Sequence, residues 1–281
     1  MIRTITVLGA GTMGHGIAHA AIAGGFETRI YDVIPPAVEK GRLAIEGIVA
    51  KGVALGKVTA ADADAMLARL TPITTLSEAL ADTDFVIEAA PERIDLKVAL
   101  VAEIDTFAPE RAIVATNTSA LSITEIAAAS KFPKRVAGMH FFNPVHRMKL
   151  VEIVQALESA PGTLQAIEEV SRQMGKATVL VRESPGFITT RVNASIGNEA
   201  FYMLMEGVAS ARDIDKALKL GLNHPMGPFE LVDLVGLDTR LAILEYLHKS
   251  MGEKYRPCPL LAQYVKAGRL GRKAGRGVYD Y

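Results

Sequence analysis

The segment Thr4-Ile5-Thr6-Val7-Leu8-Gly9-Ala10-Gly11-Thr12-Met13-Gly14 decides the fold. A short apolar run enters a Gly-x-Gly-x-x-Gly turn, and Ile17-Ala18-His19-Ala20-Ala21-Ile22 leaves it with the composition of a helix. Strand, glycine turn and helix in that order form the phosphate-binding start of a dinucleotide fold. The first glycine permits the tight turn, the second lets a pyrophosphate approach the backbone, and the third lets helix and strand pack closely. The helix amino terminus presents unpaired N–H groups and a partial positive charge to the phosphates. Gly9, Gly11, Thr12, Met13 and Gly14 are therefore candidate cofactor contacts. Asp32 ends the next apolar run, Arg29-Ile30-Tyr31, eighteen residues past Gly14, where a carboxylate can accept from adenosine ribose hydroxyls. Val33-Ile34-Pro35 offers no arginine for a 2′-phosphate, which favours NAD over NADP. The plainer alternative is a glycine turn followed by a solvated aspartate.

Outward from this turn the chain alternates apolar runs with helix-like stretches. Strands are predicted at Thr4–Leu8, Thr28–Tyr31, Asp84–Ile87, Ala112–Ala115, Arg135–Met139, Lys149–Val154 and Ala177–Val181. Unbroken apolar runs suit strands covered on both faces, as in parallel sheets. Residues 36–69 carry no strand signal and read as an inserted helical hairpin broken near Gly52–Lys57. Ser122 with Glu125 has the spacing of a capping box, and Thr59 with Asp62 is a weaker version. After Glu183-Ser184-Pro185-Gly186 the period becomes helical, through Ile188, Val192, Ile196, Ala200 and Met203. The expected fold is α/β: a Rossmann-type, mostly parallel sheet domain over residues 1–183, then an all-helical domain over 184–281.

Composition narrows the function. The 281 residues carry 31 Lys+Arg against 31 Asp+Glu, so no global field draws in nucleic acid or acidic lipid. One cysteine, Cys258, excludes an internal disulfide and suits a reducing compartment. No run reaches the roughly 18–20 apolar residues of a membrane span, and the amino terminus lacks a signal-peptide pattern. The expectation is a cytoplasmic protein that binds neither nucleic acid nor membrane. Without a helical His pair or a carboxylate cluster, no metal is expected.

The chemical residues lie downstream. His140 follows Val136-Ala137-Gly138-Met139, and Glu152 sits inside the apolar run Leu150-Val151-Glu152-Ile153-Val154. An acid within such a strand is costly to bury without a partner. A histidine satisfies that need, and the carboxylate in turn fixes its tautomer and supports the charge the ring gains as a base. Ser119, after Thr116-Asn117-Thr118 at a strand end, can donate to a substrate oxygen. Alone, His140 reads as a buried strand-end histidine and Ser119 as a turn residue; with Glu152 and the glycine motif they read as a dehydrogenase site. His146 is near in sequence but has no buried acid beside it, and reads as surface.

These residues resemble those of the L-3-hydroxyacyl-CoA dehydrogenases, of the short 3-hydroxybutyryl-CoA dehydrogenase type. The resemblance runs through residues 9–14, Asn117-Thr118-Ser119, His140-Phe141-Phe142-Asn143-Pro144 to Glu152, Ser184-Pro185-Gly186-Phe187, Pro225-Met226-Gly227-Pro228-Phe229 and the closing Gly271-Arg272-Lys273-Ala274-Gly275. It implies NAD-dependent oxidation of an L-3-hydroxyacyl-CoA to the 3-ketoacyl-CoA, and the reverse. It implies His140 as general acid/base, Glu152 as its partner and Ser119 as ligand of the substrate oxygen. Asp32, Glu92, Lys97, Ser119, Asn143 and Lys273 are implied as cofactor contacts, and the helical domain as a homodimerisation surface, with the acyl chain held between the domains. One departure stands out: where the family commonly has Asn before Arg after Pro-Gly-Phe, this chain has Thr190 before Arg191. Asn193, about one helical turn on, is a candidate substitute. The family's CoA contacts in the hairpin do not align; Lys40, Arg42, Lys51 and Lys57 are candidates. Two other functions remain open from the residues alone, a dehydrogenase of a free 3-hydroxy acid and a dinucleotide-binding protein without turnover.

Overall fold

The computed structural model describes residues 1–281, which divide into two compact units, Met1–Ser184 and Pro185–Tyr281. The first unit holds one eight-stranded sheet: β1 (Thr4–Leu8), β2 (Glu27–Tyr31), β3 (Leu70–Ile73), β4 (Phe85–Glu88), β5 (Ile113–Thr116), β6 (Val136–Phe141), β7 (Leu150–Gln155) and β8 (Ala177–Arg182). Their order is β3-β2-β1-β4-β5-β6-β7-β8. All neighbouring pairs are parallel except β6 with β7. The chain winds outward in both directions from β1, so the crevice at the carboxyl ends of β1 and β4 is the switch point where such sheets bind ligands.

Burial explains the strand pattern. Every residue of β4 and β6 is buried, which is why both lack polar alternation. Against the sheet pack α1 (Thr12–Ala23), the hairpin of α2 (Pro35–Ala54) and α3 (Ala60–Leu67), then α4 (Leu76–Leu80), α5 (Ile94–Phe107), α6 (Ile123–Ala128) and α7 (Pro161–Gln173). Ile17, Ala18, Ala21 and Ile22 form the buried stripe of α1 and meet Ile5, Val7 and Ile30 in the core. Thr59 and Ser122 cap their helices through the N–H groups of Asp62 and Glu125, both at 3.1 Å.

The structure adds one strand to the seven predicted. β3, Leu70-Thr71-Pro72-Ile73, lies at the sheet edge and pairs only with β2. Pro72 removes a backbone donor, which an edge strand tolerates, and two of its four residues are exposed. Such a strand shows no apolar pattern.

The second unit is helical: α8 (Thr189–Met205), α9 (Ala211–Gly221), α10 (Pro228–Val235), α11 (Leu237–Met251) and α12 (Pro259–Lys266). Phe201, Phe229, Leu237, Leu244, Leu247 and Leu261 build its core, with Phe201 and Phe229 edge to face at 5.2 Å. Its last residues fold back onto α10, where Asp233 accepts the N–H groups of Val278 and Tyr279 at 2.8 and 2.9 Å.

Candidate active site

The glycine turn fits a dinucleotide. Gly9 has φ +101°, and a Cβ there would lie 2.6 Å from the carbonyl oxygen of Ala89, next to the end of β4. A Cβ on Gly14 would come within 1.7 Å of the Gly9 carbonyl oxygen, so only glycine lets α1 leave the turn at this angle. Gly11 instead faces open space, with nothing within 4 Å of its Cβ position, and it is exposed at the amino terminus of α1. No side chain caps that terminus and no acid lies in its first turn, leaving its N–H groups and dipole to an anion. Asp32 is half-buried; its carboxylate accepts from Ala10 N at 2.8 Å and from Ile34 N at 3.0 Å, which fixes it against the turn.

The antiparallel pairing of β6 with β7 sets His140 directly opposite Glu152. Directly opposite residues on one face have neighbouring Cβ atoms, and His140 Nδ1 lies 2.7 Å from Glu152 Oε2. His140 is 4% exposed and Glu152 is fully buried. The imidazole also packs on Phe142, ring centroids 4.5 Å apart. A contact to Nδ1 leaves Nε2 on the far side of the ring from the carboxylate.

Ser119 is reached through β5. Asn117 Oδ1 accepts the Phe141 N–H at 2.9 Å, tying the end of β5 to the residue after His140. Glu92 then holds the next two residues, its Oε1 accepting from the Thr118 hydroxyl at 2.6 Å and from Ser119 N at 2.9 Å. Ser119 itself is half-buried and Asn143 is exposed.

Lys97, which the resemblance implies as a cofactor contact, is buried at the start of α5. Its side chain has no exposure, and its ammonium contacts both Glu88 oxygens, at 2.7 and 2.9 Å, and the carbonyl oxygens of Asn117 and Ala90 at 3.0 and 3.3 Å. Four acceptors thus surround it beneath the surface. The sequence held a signal for this: Lys97, Val101 and Ile104 share one helical face of α5, and Val101 and Ile104 are buried. A lysine on an apolar stripe needs a buried acid, and Glu88 closes the apolar run of β4.

A second polar cluster lies beside α1. His19 and His146 meet edge to face, centroids 6.2 Å apart. Burial, then His146, Lys176 and His15, push the His19 pKa down to about 4. Burial followed by Arg147 lowers that of His146, and burial alone that of Lys176, whose ammonium donates to the Val145 and Met148 carbonyls at 2.5 and 2.8 Å. His146 is exposed, as expected.

The other expected residues belong to the second unit. Thr190 and Asn193, both half-buried, lie three residues apart near the start of α8. Lys273 pairs with Asp238 at 2.6 Å, both partly exposed. No group of three or more His, Cys, Asp or Glu side chains could hold a metal ion, and no helix is long and apolar enough to cross a membrane.

Residues 4–184 match the NAD binding domain of 3-hydroxyacyl-CoA dehydrogenase, and residues 186–281 match its C-terminal domain. The chain belongs to the 3-hydroxyacyl-CoA dehydrogenase family. Its first unit is therefore an NAD-binding domain of that family. A probable 3-hydroxybutyryl-CoA dehydrogenase of Bacillus subtilis is 47% identical over 281 residues, covering 100% of this chain and 98% of the relative. A 3-hydroxybutyryl-CoA dehydrogenase of Bradyrhizobium diazoefficiens is 43% identical over 282 residues, covering 100% of this chain and 96% of the relative. The crystal structure of an (S)-3-hydroxybutyryl-CoA dehydrogenase from Ralstonia eutropha superposes with a TM-score of 0.97 at 45% identity, covering 100% and 99% of the two chains.

Proposed function

We propose that this chain interconverts an L-3-hydroxyacyl-CoA and the corresponding 3-ketoacyl-CoA with NAD, preferring short acyl chains such as 3-hydroxybutyryl. The observation that carries the reading is the buried His140–Glu152 hydrogen bond of 2.7 Å in a chain of this family. The names of the full-length relatives support the short chain.

When bound, NAD supplies the acceptor for the hydride that leaves the substrate carbon. The turn of Gly9, Gly11, Thr12, Met13 and Gly14 would hold its pyrophosphate with backbone N–H groups, and Asp32 its adenosine ribose; Glu92, Asn143 and Lys273 would be the further contacts that the resemblance implies. Ser119 donates its hydroxyl to the substrate oxygen. His140 takes the proton of that oxygen through Nε2 in the oxidative direction and returns it in the reductive one. Glu152 keeps Nδ1 protonated and offsets the positive charge the ring gains, a role that grows in strength because both groups are nearly or wholly buried. Thr190 and Asn193 are the substrate-binding candidates on α8.

A homodimer through the second unit is part of the same reading, supported by its exposed apolar residues Val192, Val208, Leu220, Leu222 and Leu234. Cys258, unpaired and buried, supports a reducing compartment, the cytoplasm.

Absorbance of NADH followed with acetoacetyl-CoA, longer 3-ketoacyl thioesters and free acetoacetate tests the proposal. Fastest turnover with acetoacetyl-CoA is expected. Equal turnover of free acetoacetate would reassign the substrate to a free 3-hydroxy acid, and NADH binding without turnover of any thioester would remove the catalytic reading.

A further inference from the structure

Glu88 and Lys97 form an ion pair with no solvent exposure on either side chain. Removing two charges from water costs about as much as their attraction returns, so such a pair is weak evidence of stability alone. What it does is visible in its other bonds, all of which reach the carboxyl ends of β4 and β5.

Glu88 Oε1 accepts from Ala90 N at 2.6 Å, and Oε2 from the Thr116 hydroxyl at 2.5 Å. The Lys97 ammonium donates to the carbonyls of Ala90 and Asn117. Between Glu88 and Ala90 stands Ala89, whose N–H donates to Leu8 O at 2.7 Å and whose carbonyl oxygen abuts the Gly9 turn. Asn117 receives the N–H of Phe141 and begins the segment that ends in Ser119. The pair bonds directly to the ends of β4 and β5, and through Ala89 and Asn117 these are tied to the glycine turn after β1 and to Phe141, next to His140 in β6. An apolar pair of the same size would fill the volume and leave the Ala90 and Asn117 carbonyls without these donors.

We propose that Glu88 and Lys97 are positioning residues, which fix the relative heights of these strand ends and hence the spacing of the Ser119 hydroxyl and the His140 imidazole. This rests on the proposed roles of Ser119 and His140.

The test is the double variant Glu88→Gln/Lys97→Met, which removes both charges together while the Gln amide still serves Thr116 and Ala90. Thr116→Val, which deletes a single bond to Glu88, is the milder second variant. Turnover of acetoacetyl-CoA, NADH affinity by the fluorescence of the bound nucleotide, thermal midpoint and amide hydrogen exchange over Asn117–Ser119 are read for both. The double variant should lose about 10–100-fold in kcat, with KM for acetoacetyl-CoA and Kd for NADH within about threefold of the parent, because misplacement of reacting groups by about an ångström has that effect. Ser119→Ala should cost much less in this background than in the parent, since its hydroxyl is already misplaced. Exchange over Asn117–Ser119 should quicken, and Thr116→Val should show the same signs at a few-fold level. Turnover within twofold of the parent in both variants would overturn the proposal and leave a structural pair. A tenfold rise in the NADH Kd at unchanged kcat would overturn it in favour of a direct cofactor contact. An inactive parent would sink the proposed reaction instead, and the exchange measurement still decides the positioning claim: unchanged exchange over Asn117–Ser119 refutes it.

Discussion

Glu152→Gln removes one charge from the site and almost nothing else. The amide has the volume of the carboxylate and its oxygen can still accept from His140 Nδ1, so the tautomer survives; the counter-charge does not. In the parent the imidazolium that forms during turnover stands against a carboxylate 2.7 Å away at the nearest atoms, and both side chains are at most 5% exposed. With both charges delocalised, an effective separation near 4 Å and an effective dielectric of about 20 give an attraction of about 4 kcal/mol. The amide's hydrogen bond restores about 1 kcal/mol. The remaining 3 kcal/mol corresponds to a fall in kcat of roughly 100-fold, at 1.4 kcal/mol per factor of ten. Because Glu152 is fully buried, NADH affinity should stay within about twofold. Steady-state turnover of acetoacetyl-CoA with NADH titrated by fluorescence separates the two. A kcat within threefold of the parent, in a variant whose thermal midpoint shows it folded, would refute the role given to the carboxylate.

Three other expectations follow from particular contacts. Gly14→Ala drives a Cβ into the Gly9 carbonyl at 1.7 Å, so NADH binding should weaken by at least tenfold or the protein should lose several degrees of thermal stability; a folded variant with parental NADH affinity would contradict the packing of the turn. His19 is held neutral in the fold, its pKa lowered from 6.5 to about 4, whereas the unfolded chain takes the proton at the higher pH. The unfolded state then binds more protons, so His19 removes stability as pH falls from 6.5 and the loss, about 3 kcal/mol, is complete below 4. His19→Gln should flatten the fall of the thermal midpoint over that window, and identical pH curves for parent and variant would contradict this. Thr190→Asn should keep turnover of acetoacetyl-CoA or raise it up to about fivefold, the value of one hydrogen bond; complete loss would mean that α8 meets its ligand with different atoms.

Much of the sheet was legible because its central strands are covered on both faces, β4 and β6 at every position, whereas β8, exposed at four of its six residues, shows only through its apolar composition. β3 escaped notice since it contributes an edge with Pro72 in it and buries little. The boundary of β6 was short by two residues: β6 runs through Phe141, so His140 lies inside the strand rather than past its end. That difference matters, since a residue inside a strand has a defined neighbour across the ladder, and here the neighbour is Glu152. Glu152 was readable as an acid needing a partner because an apolar strand makes its burial costly. Lys97 was not, since a lysine on a helix ordinarily extends into water, and only the coincidence of its apolar helical face with the acid ending β4 points the other way.

The one reversal of direction in the sheet has a consequence for how this protein can vary. In the β6–β7 hairpin, the ladder rather than the connecting loop determines which residues face each other. The exposed Arg147 and Lys149 of the connection could thus be replaced without pulling acid and base apart, provided the strands keep their register, whereas Phe142 packs on the imidazole and Val145 is buried in the core. A slip of one position in β7 would be ruinous, for it would turn the carboxylate to the opposite side of the sheet. Natural or engineered diversity should be confined to the exposed positions of that connection that touch neither the imidazole nor the core, where it leaves the proton chemistry untouched.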